Sequence, residues 1–116
     1  MSRRDQIRMT DAEVRNFLDE QRTLQVASIN KDGTPHLVAM WYGFIDDDIV
    51  FWTYGRSQKV ANLRRDPRLT CLVESGRKYE ELKGVAITGI GEVSDDRDYV
   101  QRVGAAVFPR YNDGEI

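Results

Sequence analysis

The spacing of apolar residues along this chain changes period several times, and each change marks an element. The opening residues Met1–Met9 are mostly polar, and from Thr10 the pattern turns helical, with Val14, Phe17 and Leu18 on one face. Thr10-Asp11-Ala12-Glu13 is a capping box, with Thr10 as the cap and Glu13 reaching back, and it fixes where that helix starts. From Thr23 to Ile29 the period drops to two: Leu24, Val26 and Ser28 face one way, Gln25, Ala27 and Ile29 the other. Asn30-Lys31-Asp32-Gly33 predicts a hairpin turn with Gly33 at positive φ. The strand that follows, Thr34 to Tyr42, is so largely apolar that it predicts cover on both faces for much of its length.

Asp46-Asp47-Asp48 marks a second turn and lacks the spacing of a calcium loop. A strand over Ile49–Tyr54 leads through Gly55-Arg56 into a short helix, Ser57–Arg65, which Pro67 ends because the residue before a proline avoids helical geometry. Strands over Arg68–Glu74 and Gly84–Val93 flank a long polar connection, and Ser94-Asp95-Asp96 caps a second amphipathic helix. Tyr99, Val100, Val103 and Val107 form its inner face, after which the chain reaches Pro109, Asn112 and Gly114. Strands joined by tight turns, with helices too few for a doubly wound parallel sheet, predict a mainly β (α+β) antiparallel fold, a small barrel. No repeat or linker divides residues 1–116, a length that suits one domain.

Composition narrows the function by exclusion. A net charge of −2 argues against a general nucleic-acid binder. No apolar run approaches a membrane span and the N-terminus has no signal-peptide core, which predicts a soluble, cytoplasmic protein. Cys71, the one cysteine, lies in an apolar run and reads as a small buried hydrophobe in a reducing compartment. His36 is the one histidine, so a catalytic zinc site has too few good ligands and a Ser-His-Asp arrangement lacks a convincing base. Gly89-Ile90-Gly91-Glu92-Val93-Ser94 lacks the third glycine of a dinucleotide fingerprint, and its glycines predict a bulge or a close approach to the strand. With acid, base and nucleophile all missing, any enzymatic chemistry would come from a bound cofactor.

The stretch Ile49–Pro67 carries the positive signal. Ser57 can cap the helix by accepting from a backbone N–H. Arg56 and Lys59 stand where free N–H groups already make the helix end positive, and cations there are unfavourable unless an anion sits among them. A strand running into such a helix start is a phosphate site. The alternative is a solvated helix end whose cations point to water.

Four signatures in order then give a family likeness: Asp32-Gly33-Thr34-Pro35-His36; Phe51-Trp52-Thr53 followed by Ser57-Gln58-Lys59; Asn62-Leu63-Arg64-Arg65-Asp66-Pro67-Arg68; and Gly84-Val85-Ala86 leading to Gly89-Ile90-Gly91-Glu92. Over about residues 10 to 108 the chain resembles the pyridoxamine 5'-phosphate oxidase-like split-barrel family, in its flavin/deazaflavin (F420) oxidoreductase branch. The resemblance implies a six-stranded antiparallel split β-barrel with short flanking helices. It implies a homodimer with a cofactor site in each cleft between subunits. It implies that Ser57 and Lys59 hold a cofactor phosphate with Gln58 alongside, that Thr53 and the backbone near Trp52 line the ribityl chain and ring edge, and that Met40 and Trp41 pass behind the ring.

Alternation on Ile49–Tyr54 puts Phe51 and Thr53 on one face and Trp52 and Tyr54 on the other, so Thr53 is the side-chain contact and Trp52 a backbone one. Two departures bear on the cofactor. Oxidases that hold FMN carry an arginine where this chain has Val38 and a glutamine where it has Gly84, and the F420 branch tolerates both changes. The longer anionic tail of F420 could meet Arg56, Arg77, Lys78 and Lys83, each of which reads equally as a solvated loop charge. A third departure is the absence after the second helix of the family's final strand, so that the chain is incomplete or its barrel closes differently. The function so implied is hydride transfer between F420, or else FMN, and a small unsaturated or conjugated molecule. The rival from another class is a non-catalytic protein that stores or senses a flavin, haem or similar planar ligand.

Overall fold

The computed structural model describes residues 8–111; the expectations for the first seven residues and for Asn112 and Gly114 lie outside them. Helix α1 (Asp11–Glu20) begins on the predicted capping box, with the Glu13 N–H donating to Thr10 Oγ1 at 3.2 Å and the Thr10 N–H donating to Glu13 Oε1 at 3.0 Å. It leads into β1 (Leu24–Ile29), whose Leu24, Val26 and Ser28 are buried as the two-residue period predicts. The hairpin turn has Gly33 at φ +89°, and β2 (Pro35–Met40) returns antiparallel, with Val26 opposite Val38.

Three short or long-range features depart from the expectation. The chain forms β3 (Gly43–Ile45) where no strand was predicted, and it pairs with β4 (Asp48–Val50) across a two-residue turn with Asp46 at φ +54°. Three residues are too few to show a period. Gly43 is required there by proximity: a Cβ would stand 2.5 Å from the Ala106 carbonyl oxygen. Second, β4 stops at Val50; residues 51–54 belong to no ladder, although their burial alternates as expected. Third, β2 is not covered on both faces: His36, Val38 and Met40 are partly buried, while Leu37 is 65% exposed.

Helix α2 (Gln58–Arg65) follows, then β5 (Arg68–Ser75), a short 3₁₀ turn (Tyr79–Glu81), β6 (Lys83–Ile90), α3 (Arg97–Val107) and a second 3₁₀ turn (Phe108–Arg110). The four-stranded sheet has the order β2-β1-β5-β6, antiparallel throughout, and β3-β4 form a separate two-stranded sheet. This is the mixed α+β antiparallel fold expected, with six strands divided four and two. Gly91 bears out the predicted close approach: its N–H donates to the Pro67 carbonyl at 2.7 Å, and a Cβ would meet Leu69 at 2.9 Å.

Two apolar clusters hold these layers. The larger joins Phe17 and Leu18 of α1 to Leu24, Val26, Cys71 and Val73 of the sheet, around a fully buried Tyr42. The smaller packs Val103 and Val107 of α3 on Val50. Asp96 caps α3, accepting from the Tyr99 N–H at 3.0 Å. A polar clasp links the end of α1 to Tyr42 and to the last 3₁₀ turn. The Tyr42 hydroxyl donates to the Leu18 carbonyl at 2.5 Å, and the Tyr111 hydroxyl accepts from the Tyr42 N–H at 2.8 Å. The Arg110 guanidinium donates to the Gln21 carbonyl at 3.1 Å, answering one of the unpaired carbonyls at the end of α1.

Candidate functional site

The start of α2 is built as its residues dictate. Ser57 has extended geometry and its Oγ accepts from the Val60 N–H at 3.4 Å, as an N-cap should. The Thr53 hydroxyl donates to the same oxygen at 3.4 Å, tying the extended segment to the helix start. The first turn holds no acidic residue, and the basic pair Arg64 and Arg65 falls in the last turn, where it suits the helix dipole.

Lys59 is the exceptional group. Only 8% of it is exposed, and its ammonium has no hydrogen-bond or ion-pair partner among the described residues. Burial alone pushes its pKa down from the usual lysine value. Burial of most of the side chain disfavours the charged form, and its position on the first turn of a helix adds to that cost. An anion bound beside it would relieve both.

Lys59 borders a cleft of about 920 Å³, near the upper end of the range for small-ligand sites. Trp52 and Thr53 line it from the extended segment, Val60 and Leu63 from α2, and Leu69 and Ile87 from the sheet. Acids also stand around it, among them Asp48, Glu92 and Asp95, together with Asp47, which pairs with Arg15 at 3.6 Å. The attraction for an anion is therefore local to the helix start, not a property of the whole cleft.

Of the residues singled out in the sequence, the cleft brings together Trp52, Thr53 and Lys59, with Ser57 one hydrogen bond behind Thr53. Arg56 is exposed on the turn just before the helix. Gln58 is engaged elsewhere: its amide donates to Asn62 Oδ1 at 2.8 Å. Met40 and Trp41 are not in the cleft lining. Met40 packs on the larger core cluster, and the Trp41 ring stacks on Tyr111 at 4.3 Å. The Trp52 ring is 42% exposed and meets Phe108 edge-on at 5.7 Å. Arg77 and Lys78 are exposed on the β5–β6 connection, and Lys83 is exposed at the start of β6. Val38 is a partly buried core residue, and at Gly84 a Cβ would meet only ordinary contacts from 3.7 Å outward, so packing does not dictate the glycine.

Sequence reading missed Asn62, which is fully buried. Its Nδ2 donates to Ser28 Oγ at 3.1 Å and to Asn30 Oδ1 at 2.9 Å. Arg65 adds bonds to Asn62 Oδ1 at 3.3 Å and to the Ile29 carbonyl. An asparagine on the inner side of a helix, between Lys59 and Leu63, was the available signal. Beyond it, Asp66 accepts from the Arg68 side chain at 2.7 Å, which holds its carboxyl down at about 2.

Fold and site define a class: an antiparallel α+β domain with a ligand-sized cleft beside the start of a helix. The sequence profile of the family described as pyridoxamine 5'-phosphate oxidase matches residues 10–114, and the chain belongs to that family. Among solved structures, the conserved hypothetical protein Rv2991 from Mycobacterium tuberculosis is 41% identical, with a TM-score of 0.93, over 100% of this chain and 72% of that one. A heme binding protein from Mycobacterium smegmatis shares the fold at 18% identity and a TM-score of 0.72, over 92% of this chain and 46% of that one. An F420 reductase shares it at 20% identity and a TM-score of 0.63, over 87% of this chain and 77% of that one. No protein with a curated description matches. Among the described residues no helix is long and apolar enough to cross a membrane, and no cluster of three or more His, Cys, Asp or Glu side chains could hold a metal.

Proposed function

We propose that this protein is a cytoplasmic oxidoreductase that holds F420, or in second place FMN, by its phosphate at the start of α2. It moves a hydride between that cofactor and a small unsaturated or conjugated molecule. The observation that carries the proposal is Lys59, a lysine only 8% exposed and without a hydrogen-bond or ion-pair partner among the described residues, at a helix N-terminus beside a cleft of ligand size. In this reading Lys59 and the Ser57 hydroxyl hold the phosphate, Arg56 reaches it from the turn, and Thr53 and the Trp52 backbone lie along the ribityl chain and ring edge. The bound ring supplies the redox chemistry; the chain binds it, orients it and excludes water. Val38 and Gly84, in place of the arginine and glutamine of FMN oxidases, support F420 as the first choice.

The same reading includes a homodimer with the site at the subunit boundary. The uncovered face of β2, with exposed Pro35, Leu37 and Ala39, supports cover by a second copy. Such an interface would bury about 2,000 Å² or more.

Titration of the purified protein with F420 and with FMN, followed by visible spectroscopy, tests the proposal. A bound flavin gives two visible bands and a deazaflavin one, with a Kd expected in the micromolar range, about −8 kcal/mol. If neither binds in that range, the enzyme reading fails. Binding without turnover across quinones, enones and tetrapyrroles replaces it with storage or sensing of a planar ligand.

A further inference from the structure

The Lys59 ammonium can reach an anion in the cleft only if α2 holds one rotation about its axis. Lys59 and Asn62 are three residues apart, about 60° around the helix, and a roll of about 30° would swing the head of an extended lysine by roughly 4 Å. The apolar contacts of Val60 and Leu63 hold the helix against the molecule and set its buried face, a coarser constraint on roll than a directional bond. Hydrogen bonds are directional, and a fully buried asparagine on this face makes them.

We infer that Asn62 is the positioning residue of the Lys59 site, keying α2 to the end of β1 through Ser28 and Asn30 and so setting where the ammonium points. All the hydrogen-bonding capacity of the Asn62 amide is used. Its two N–H groups go to Ser28 Oγ at 3.1 Å and Asn30 Oδ1 at 2.9 Å, and its oxygen accepts from Gln58 at 2.8 Å and Arg65 at 3.3 Å. Ser28 is itself 2% exposed, so the pair is a buried polar contact between helix and strand with no water to replace it. Each bond to β1 spans more than 30 residues of sequence, so the key links α2 to the sheet and not merely to its own neighbours. Gln58 belongs to this key and not to the ligand, the one place where the geometry reassigns a residue of the phosphate signature.

The inference rests on the proposed Lys59 site, and its test has an arm that needs no ligand. Asn62→Ala and Ser28→Ala are compared with the unaltered chain by amine-reactive labelling and mass spectrometry, well below the melting transition. Lys59, only 8% exposed, is the slowly labelled lysine, exposed Lys31 and Lys83 report the reagent, and buried Cys71, under a thiol reagent, reports general loosening. Lys59 labelling is expected to rise about fivefold or more while Cys71 stays protected, as local opening allows. Equal rises at Lys59 and Cys71, or no rise at Lys59, overturn the inference. The second arm titrates FMN and F420. Asn62→Ala is expected to weaken binding about tenfold in the unaltered chain and not at all in a Lys59→Ala background, the coupling of a residue that acts through another. Equal losses in both backgrounds overturn it. If neither cofactor binds the unaltered chain, the cofactor reading falls and the labelling arm still decides the role of Asn62.

Discussion

The two ends of α2 are made of similar residues and treated oppositely by the fold. At its C-terminal end, Asn62, Arg65, Asp66 and Arg68 are wired to one another and to β1, and the basic side chains sit where the dipole favours them. At its N-terminal end, Arg56 and Lys59 sit where the dipole disfavours cations, and Lys59 has no hydrogen-bond or ion-pair partner among the described residues. Eight residues therefore hold one finished end and one unfinished end. The contrast distinguishes scaffold from site better than polarity does, since both ends are polar. Free energy spent on leaving a group unsatisfied is recoverable only by a ligand, whereas a satisfied network has nothing further to gain from one.

The largest way to break this contrast is at the finished end. Asn62→Leu keeps the volume but strands buried Ser28 and removes the partner of half-buried Asn30, and it should cost about 3 kcal/mol of stability. Denaturant unfolding would show this as a lower midpoint with unchanged slope. A loss within about 0.5 kcal/mol would mean the network is ornamental, since that is the scale of ordinary surface substitutions. At the unfinished end the expectation reverses. Lys59→Ala should weaken FMN or F420 binding by one to two orders of magnitude, the worth of one charge-assisted hydrogen bond at about 1.5–3 kcal/mol. It should leave stability unchanged or slightly raised, because a cation is removed from the positive end of a helix. Ser57→Ala falls between: it should lower stability by about 1 kcal/mol through the lost cap and weaken binding as well. Cofactor affinity within twofold of the unaltered chain in Lys59→Ala, together with a less stable fold, would make this helix start structural and move the phosphate elsewhere.

What the sequence made legible was local. The Thr10–Glu13 capping box, the Gly33 turn, the Ser57 cap and the Asp96 cap each join residues within four positions, and each formed as expected. So did the alternation of β1. The departures needed partners far away in the chain. Gly43–Ile45 became a strand because α3 and β4 lie against it, a contact no window of three residues contains. Trp41, expected to pass behind a ligand ring, stacks on Tyr111, seventy positions on. Gln58 is the exception to distance: its partner Asn62 is four positions on in the same helix, a contact that helical spacing offers without requiring it. The signature Asn62–Arg68 itself read only as a family mark; its physical content is the network that closes the far end of α2.

The smallest effects lie in pH, and they separate the two ends by cause. Both perturbed groups have lowered pKa values, so by linkage each makes stability rise with pH, in windows far apart. Asp66 falls from 3.8 to about 2 because the Arg68 side chain and N–H donate to its carboxylate, so its contribution is full above 3.8 and is lost as pH falls through 2. Being only partly buried, on the surface beside Arg68, it should give only a shallow acid limb, screened by salt. Asp66→Asn should flatten it. Lys59 is lowered by burial alone, so the charged form is the penalised one. Below its folded pKa the penalty is present in full, and as pH rises from there toward the usual lysine value it is lifted, so the ligand-free protein should gain stability on the alkaline side. Lys59→Ala should abolish that gain. A bound phosphate should abolish it too, because an anion beside the ammonium favours the charged form and raises its pKa again. Melting curves between neutral pH and the lysine range, with and without FMN or F420, would read this directly. An alkaline limb that survives Lys59→Ala belongs to another group. One that survives saturating cofactor places the cofactor's phosphate away from Lys59, whatever the affinity measured for it.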